Sequence, residues 1–158
     1  MAYITGPKHE GCVFCSALEE GGVSSELVVR KGVTCFVLLN AYPYNNGHVM
    51  VVPIRHVADL SALTPEELGE LGRLSVEAVD VLREVMRPAG YNLGMNLGQV
   101  AGAGIADHLH MHVVPRWSGD TNAMTVVGQV RVIPETLEQT GDHLRAAWTK
   151  RGDATAAL

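Results

Sequence analysis

Residues 108–116 read HLHMHVVPR, and histidine occupies every second position in the first half of this stretch. Side chains alternate between the two faces of a β-strand, so this spacing predicts a strand with a chemical face and a packing face. The first face carries His108, His110 and His112, and the second carries Leu109, Met111 and Val113. A solvated strand face or a chance metal clamp is the alternative. The preceding Ala-Gly-Ala-Gly and the following Val-Val-Pro-Arg favour a functional strand.

The composition is that of one compact domain. The chain has 158 residues, of which 47% are hydrophobic and 18% charged, and this is enough apolar material for a single core. Its 12 basic and 17 acidic residues give a formal net charge of −5, which offers no basic field for a nucleic acid backbone. We therefore expect no polymeric nucleic acid partner, whereas a small nucleotide held by local groups is compatible with this charge.

The sequence carries no recognisable membrane or secretion signal. No apolar run approaches the length of a membrane span, and residues 1–11 lack the apolar stretch and cleavage site of a secretory signal. We expect a cytoplasmic protein without a membrane partner. Three cysteines are an odd count, which argues against a disulfide framework. Cys35 lies in an apolar run and is expected to be a buried strand residue with no chemical role.

The remaining patterns predict three strands, a helix, two strands and a terminal helix. Thr64-Pro65-Glu66-Glu67 is typical of a helix start, and apolar residues recur at helical spacing from there until Pro88. A last helix is predicted over 134–150, between an N-terminal arm at 1–11 and a flexible tail at 151–158. The predicted strands cover 26–30, 34–39, 48–53, 91–97 and 108–116, with a loop over 98–107. This order predicts a single α+β domain over 1–158 with an antiparallel sheet.

With this order of elements, the pattern His-X-His-X-His-X-X, in which X is apolar, resembles that of the histidine triad family. The similarity runs from the cysteine pair Cys12 and Cys15 through Gly47-His48-Val49 and Asn96 to Arg116. Within the family, the segments 92–98, 101–105 and 115–122 look most like bacterial diadenosine tetraphosphate phosphorylases. The resemblance implies a five-stranded antiparallel sheet with one long helix and a C-terminal helix, and a homodimer.

The resemblance also implies a reaction. In the family the middle histidine, here His110, attacks the α-phosphorus of a nucleotide, and imidazole suits this because it is partly neutral at pH 7. His112 would stabilise the charge that develops on the phosphoryl group. The expected substrate is diadenosine tetraphosphate, which inorganic phosphate converts to ADP and ATP. Two alternatives are a hydrolase that uses water and releases AMP, and a zinc-stabilised nucleotide-binding module without turnover.

Six residues are predicted to contact the nucleotide or its phosphates: Asn40, Asn96, Gly98, Ala103, Gly104 and Trp117. Glycine lets a backbone approach a phosphate closely, although a run of Ala and Gly is also typical of a mobile turn. The family places Asp or Asn at the position of Asn40 to bind ribose, and the alternative is a turn-initiating asparagine. Gly104 stands where many relatives carry Gln or Ser, so that contact would fall to backbone amides or to Asn96. Trp117 either stacks on the nucleotide or lies in the core.

Cys12 and Cys15 are separated by two residues, a spacing that can hold zinc and that is equally a redox motif. Zinc-bearing members of the family use such a pair together with counterparts of His56 and His108. The resemblance therefore implies a structural Zn²⁺ held by these four residues, which leaves His110 for catalysis with His112.

Two secondary expectations concern the other polar residues. A ligand histidine needs an acceptor for its second ring nitrogen, and Asp59 or Asp107 is the candidate. His48 alternates with the apolar Met50 and Val52, so we expect a satisfied structural histidine rather than a ligand.

Overall fold

The computed structural model describes residues 11–120 and 135–155. These residues form a five-stranded antiparallel sheet with the strand order β1-β2-β3-β5-β4, which confirms the α+β class. The strands are β1 (Val28–Lys31), β2 (Cys35–Leu39), β3 (Val49–Pro53), β4 (Gly90–Gly94) and β5 (Met111–Arg116). The helices are α1 (Val13–Ser16), α2 (Pro65–Met86) and α3 (Leu137–Thr155).

The two strands nearest the histidines are shorter than predicted. β4 ends at Gly94 instead of residue 97, and β5 begins at Met111 instead of His108. The ladder between β3 and β5 stops at the pair of Val51 with Met111, because Pro53 has no N–H to continue it. Leu109 N–H instead donates to the Val57 carbonyl at 2.7 Å. The first two histidines therefore lie in the segment just before β5 and not in the strand itself.

Helix α2 begins as the sequence predicts. The Thr64 hydroxyl accepts from Glu67 N–H at 3.2 Å, and the Glu67 carboxylate accepts from Thr64 N–H at 2.9 Å, which together form a capping box. The helix packs its apolar stripe on the sheet and ends at Met86, two residues before Pro88. The buried apolar residues of this stripe are Leu71, Leu74, Ala78, Val81 and Leu82.

A buried carboxylate joins α2 to the hairpin of β1 and β2. Glu70 accepts the backbone N–H groups of Val33, Thr34 and Cys35 and the Thr34 hydroxyl. Burial opposes ionisation of Glu70, but these hydrogen bonds outweigh it and lower its pKa to about 2. Cys35 is 0% exposed, as expected for a buried strand residue.

Helix α3 continues past the predicted end at Lys150. It starts later than predicted, at Leu137, and the Arg151 guanidinium lies 3.8 Å from the Asp80 carboxylate and 3.5 Å from that of Glu84 on α2. These ion pairs fix a turn that the sequence assigns to a flexible tail. Residues 1–10 of the predicted arm, the start of the predicted last helix at residue 134, the end of the segment 115–122 and residues 156–158 of the predicted tail fall outside the described residues. None of the described helices has the length and apolarity needed to cross a membrane.

Candidate active site and metal centre

His110 is held in the form that can attack phosphorus. Its Nδ1 donates to the His108 carbonyl at 2.9 Å, and a carbonyl can only accept. In the neutral ring the proton therefore lies on Nδ1, and Nε2 keeps its lone pair. Burial lowers the pKa of His110, which favours this neutral form. The Phe14 ring of α1 packs against the imidazole with the ring centres 5.0 Å apart.

A second hydrogen-bond chain determines the tautomer of His112. His48 is fully buried, and its Nδ1 accepts the Tyr44 backbone N–H at 3.0 Å and the Asn40 amide at 3.4 Å. The proton of neutral His48 therefore lies on Nε2, which donates to His112 Nδ1 at 2.9 Å. His112 must then carry its own proton on Nε2.

The Nε2 atom of His112 is a buried donor that lacks a hydrogen-bond partner within residues 11–120 and 135–155. Burial, with a smaller contribution from His110, lowers the pKa of His112 to about 4, so the ring is neutral at pH 7. Buried polar groups in proteins are nearly always paired, and an unpaired one indicates a missing ligand or water. This N–H can donate to an anionic oxygen.

His48 is a satisfied residue, as expected, but its partner is His112, and the sequence did not indicate this. The two residues are 64 positions apart, and only the pairing of β3 with β5 brings them together. Gly47 directly precedes His48 and has a φ of +73°. A Cβ on Gly47 would lie 2.5 Å from Met86 Sδ and 3.0 Å from Leu82 Cδ2. The turn before His48 therefore packs closely against the C-terminal end of α2.

The four predicted metal ligands come together. The ligand atoms of Cys12, Cys15, His56 and His108 all lie within 4.8 Å of one another. His108 Nδ1 is 3.2 Å from Cys12 Sγ and 3.7 Å from Cys15 Sγ, and Cys15 Sγ is 3.4 Å from His56 Nδ1. Two sulfurs and two imidazole nitrogens can hold a metal ion, and this donor set suits tetrahedral coordination.

The second ring nitrogen of His108 supports this arrangement. Its Nε2 donates to the Pro53 carbonyl at 2.9 Å, which leaves the Nδ1 lone pair directed at the cysteines. For the ligand histidine His108 the predicted acceptor, Asp59 or Asp107, is therefore wrong, and the Asp59 carboxylate caps a short turn at Ser61 instead. For His56 this acceptor stays a prediction. Burial and the neighbouring Cys12 raise the pKa of Cys15 to about 11, and a cation would have to displace that proton.

The predicted nucleotide contacts at the two strand ends have local roles in the fold. The Asn40 side chain accepts the Tyr42 N–H at 2.9 Å, which is the turn-initiating role, and it also donates to His48. Trp117 follows β5 directly and is half-buried, and its backbone N–H donates to the Asp120 carboxylate at 3.1 Å. Contact of Asn40 with ribose and of Trp117 with a nucleotide stays a prediction.

The glycine-rich loop is tightly folded. Asn96 lies beyond the end of β4, and its amide donates to the Gly102 carbonyl at 3.3 Å. Gly98 and Gly102 adopt φ values of +83° and +88°, which favour glycine. Gly98 borders a cavity of about 440 Å³, and Asn96 and His112 border another of about 220 Å³. Ala103 is half-buried and Gly104 exposed, and their contact with phosphate stays a prediction.

The comparison with known families is consistent with this site. A model described as "HIT domain" matches residues 22–119, which include the histidine row and all five strands of the described sheet. The chain belongs to the HIT family. This membership confirms the family predicted from the histidine pattern, and the fold of the HIT chain agrees with it.

Individual relatives give more detail. The HIT chain is 47% identical over 125 residues to a protein of Mycobacterium tuberculosis named AP-4-A phosphorylase, which agrees with the predicted branch. The match covers 79% of this chain and 64% of that relative's length. An uncharacterised HIT-like protein of Mycoplasma pneumoniae is 35% identical, with 69% of this chain and 74% of that protein covered. The crystal structure of a Zn-bound histidine triad family protein from Mycobacterium smegmatis has a TM-score of 0.73 and 28% identity, covering 91% of this chain and 97% of that one.

Proposed function

We propose that this HIT chain cleaves diadenosine tetraphosphate through a nucleotidyl-histidine on His110. His110 Nε2 forms a bond to the α-phosphorus, and the phosphorus–oxygen bond to the departing ATP breaks. Inorganic phosphate then attacks the same phosphorus, breaks the phosphorus–nitrogen bond and leaves as ADP. The observation that carries the proposal is the hydrogen bond from His110 Nδ1 to the His108 carbonyl, because it keeps the attacking nitrogen unprotonated. The relative named AP-4-A phosphorylase supports the choice of substrate.

In this proposal His112 stabilises the transferring phosphoryl group. Its buried Nε2–H donates to a phosphoryl oxygen as negative charge develops there. The ring needs no change of protonation for this role, since its pKa is already lowered to about 4. The proposed surroundings are ribose on Asn40, phosphates on Asn96 and the loop with Gly98, Ala103 and Gly104, and the base near Trp117.

Product analysis tests the reaction. The protein is incubated with diadenosine tetraphosphate and ³²P-labelled inorganic phosphate, and the nucleotides are separated. We expect ATP and ADP in equal amounts, with the label in ADP. Release of AMP and ATP at the same rate with and without phosphate would show a hydrolase and overturn the phosphorylase assignment.

Substitution of the nucleophile tests the intermediate. His110→Ala should abolish turnover while AMP still binds, and wild-type protein without phosphate should hold an acid-labile adenylyl group. His143→Ala is the matched control, because this histidine is exposed on α3. Undiminished turnover by His110→Ala would refute the mechanism. Binding without turnover by the wild-type protein would instead favour a nucleotide-binding module.

The proposed resident metal is a structural Zn²⁺ on the cluster of Cys12, Cys15, His56 and His108. A bound zinc ion would cross-link α1 to the start of the histidine row, and this is a stabilising role. Protein purified without chelator should contain about one zinc per chain by elemental analysis. Cys15→Ser should lose it and Cys35→Ser should not. A ratio near zero in the wild-type protein would contradict the assignment.

The proposed assembly is a cytoplasmic homodimer, as the family resemblance implies. Its support in the fold is β4, an end strand of the described sheet, on which Leu93 is 49% exposed. An unpaired strand edge is a template for pairing with a second chain. Light scattering should give twice the chain mass, and a single-chain mass at micromolar concentration would contradict the dimer.

A further inference from the structure

A groove runs along β4 and β5, from His112 toward the end of β5. It has a volume of about 220 Å³, and Tyr44, Asn92 and Asn96 help to line it together with His112. In the ladder of β4 and β5, Gly94 pairs with His112 and Asn92 pairs with Val114. At the usual strand rise, Asn92 lies about 7 Å beyond His112, on the side away from His110. The groove therefore extends past the reacting phosphorus.

The amide of Asn92 has a defined orientation. Arg116 Nη1 donates to its Oδ1 at 2.8 Å, and a guanidinium group can only donate. The amide NH₂ is therefore turned away from Arg116. The guanidinium is itself fixed, because Nε and Nη2 bond to the two Asp120 oxygens at 2.6 Å and 2.7 Å. The residues described as lining the groove include no carboxylate, so the amide NH₂ of Asn92 can donate to an anion in the groove.

Tyr44 forms the opposite wall of the groove. Its ring is tilted only 29° from the His112 ring, with the ring centres 5.6 Å apart, and the residue is 49% exposed. The loop that carries it is held on both sides: Tyr44 N–H binds His48, and the Asn45 amide donates to the Pro115 carbonyl at 3.1 Å and to Asp120 at 2.8 Å. A fixed, half-exposed aromatic ring is a surface on which a nucleobase can stack.

We propose that Tyr44 and Asn92 form a leaving-group subsite, which binds the nucleoside polyphosphate that His110 displaces. Tyr44 stacks on its base, and the Asn92 amide donates to its phosphate chain. The unpaired Nε2–H of His112 marks the near end of this subsite, beside the reacting phosphorus. Sites that enclose a whole ligand typically exceed about 300 Å³, so this groove holds only part of the displaced nucleotide. The inference rests on the proposed function and adds the residues that select the second nucleotide.

Two substrates separate this subsite from the chemistry at phosphorus. Diadenosine tetraphosphate has ATP as its leaving group, whereas adenosine 5′-phosphorofluoridate has a single fluoride. Asn92→Asp keeps an oxygen for Arg116 and replaces the NH₂ donors by a charged oxygen. We expect kcat/KM for diadenosine tetraphosphate to fall about tenfold or more, as for a lost hydrogen bond to a charged group, and the fluoridate to be much less affected.

Asn46→Asp is the matched control for charge. It makes the same change of net charge, but the Asn46 side chain accepts from the Thr140 hydroxyl of α3 at 3.4 Å and lies outside the groove lining. For the aromatic wall, Tyr44→Ala should lower kcat/KM for diadenosine tetraphosphate about fivefold or more, and Tyr44→Phe should retain it. Tyr42→Ala, in the same loop and 54% exposed, should behave like wild type.

Equal losses with both substrates would mean that these residues only support His112, and this would overturn the subsite. Wild-type kinetics of Asn92→Asp and Tyr44→Ala with diadenosine tetraphosphate would also overturn it, without touching the proposed function. A wild-type protein that cleaves neither substrate would overturn the proposed function together with the subsite.

Discussion

His108 and His112 stand at the two ends of one histidine row, but their rings are satisfied to different extents. His108 uses both nitrogens within the protein, one toward the cysteines and one on the Pro53 carbonyl. His112 uses only Nδ1, and its buried Nε2 has no partner in the part of the chain that the structure describes. The first end is satisfied within the protein, whereas the second keeps one donor for the substrate that we propose. Loss of His108 should therefore affect stability first, and loss of His112 should affect the rate.

The largest expected effect is a lower reaction rate after substitution of His112. His112→Ala removes a donor to the phosphoryl group, and loss of one such donor typically lowers kcat about 10²- to 10³-fold. The melting temperature should fall less than in the His108 variant, because the His112 ring has only one bond within the protein to lose, to His48 Nε2–H. Stopped-flow or product assays at saturating substrate measure this, with calorimetry on the same sample. A variant with normal kcat but a much lower melting temperature would reverse the comparison.

Substitution of His108 should mainly lower the stability of the fold. His108→Ala leaves a cavity in a position that is 0% exposed and deprives the Pro53 carbonyl of its donor. We expect a loss of about 2–4 kcal/mol in the free energy of unfolding, together with loss of the proposed zinc ion. Urea titration of wild type and variant gives the difference. Equal stability of the two proteins would show that this end is not structural.

A smaller effect on the rate is expected at His48. His48→Ala frees His112 Nδ1, so the proton of His112 can move between its two nitrogens. We expect kcat to fall about tenfold, in line with a general effect of 10–100-fold for residues that orient a reactive imidazole. The ¹⁵N shifts of His112 should show a mixture of tautomers in the variant and a single form in the wild type. A lower kcat with a single Nε2–H tautomer would mean that His48 acts only by packing.

The smallest expected effect is on the pH dependence of stability. The unfolded chain binds a proton at His112 as the pH falls through the ordinary value of 6.5, whereas the folded chain does so only near 4. The unfolded state thus holds more protons in this window, and stability is lost as the pH falls from 6.5 toward 4. In His112→Asn the decrease in melting temperature between pH 7 and pH 5.5 should be smaller than in wild type by a few degrees, corresponding to about 1 kcal/mol.

His143→Asn is the control for this measurement, because it removes an exposed histidine with the same change in composition. It should keep the wild-type slope. If both variants flatten the slope equally, the burial of His112 is not the cause.

The sequence allowed prediction of features that depend on local spacing. The sheet, the capping box of α2 and the alternation of the histidines follow from short patterns, and the four residues of the metal cluster follow from resemblance to the family. Two kinds of feature were not predictable. The carbonyls of Pro53 and His108 determine the tautomers of His108 and His110, respectively. Their positions depend on the path of the backbone and not on residue type. The bond between His48 and His112 depends on how two distant strands pair.

The strand ends show the same limit. Alternation continues from His108 through Val113, and it predicts one strand over the whole run. The ladder is nevertheless shorter, because Pro53 on the partner strand cannot donate. The residue that ends the pairing thus lies outside the pattern that predicted the strand.

Gly47 links the proposed reactive centre to the C-terminal end of α2. A Cβ at this glycine would meet Met86 Sδ and Leu82 Cδ2, so the end of α2 packs directly against the turn that carries His48. Bulkier residues at Met86 or Leu82 should displace that turn and lower the rate of the proposed reaction. A search for variants that change activity, or for small molecules that act without competing with nucleotide, would therefore begin at the C-terminal end of α2.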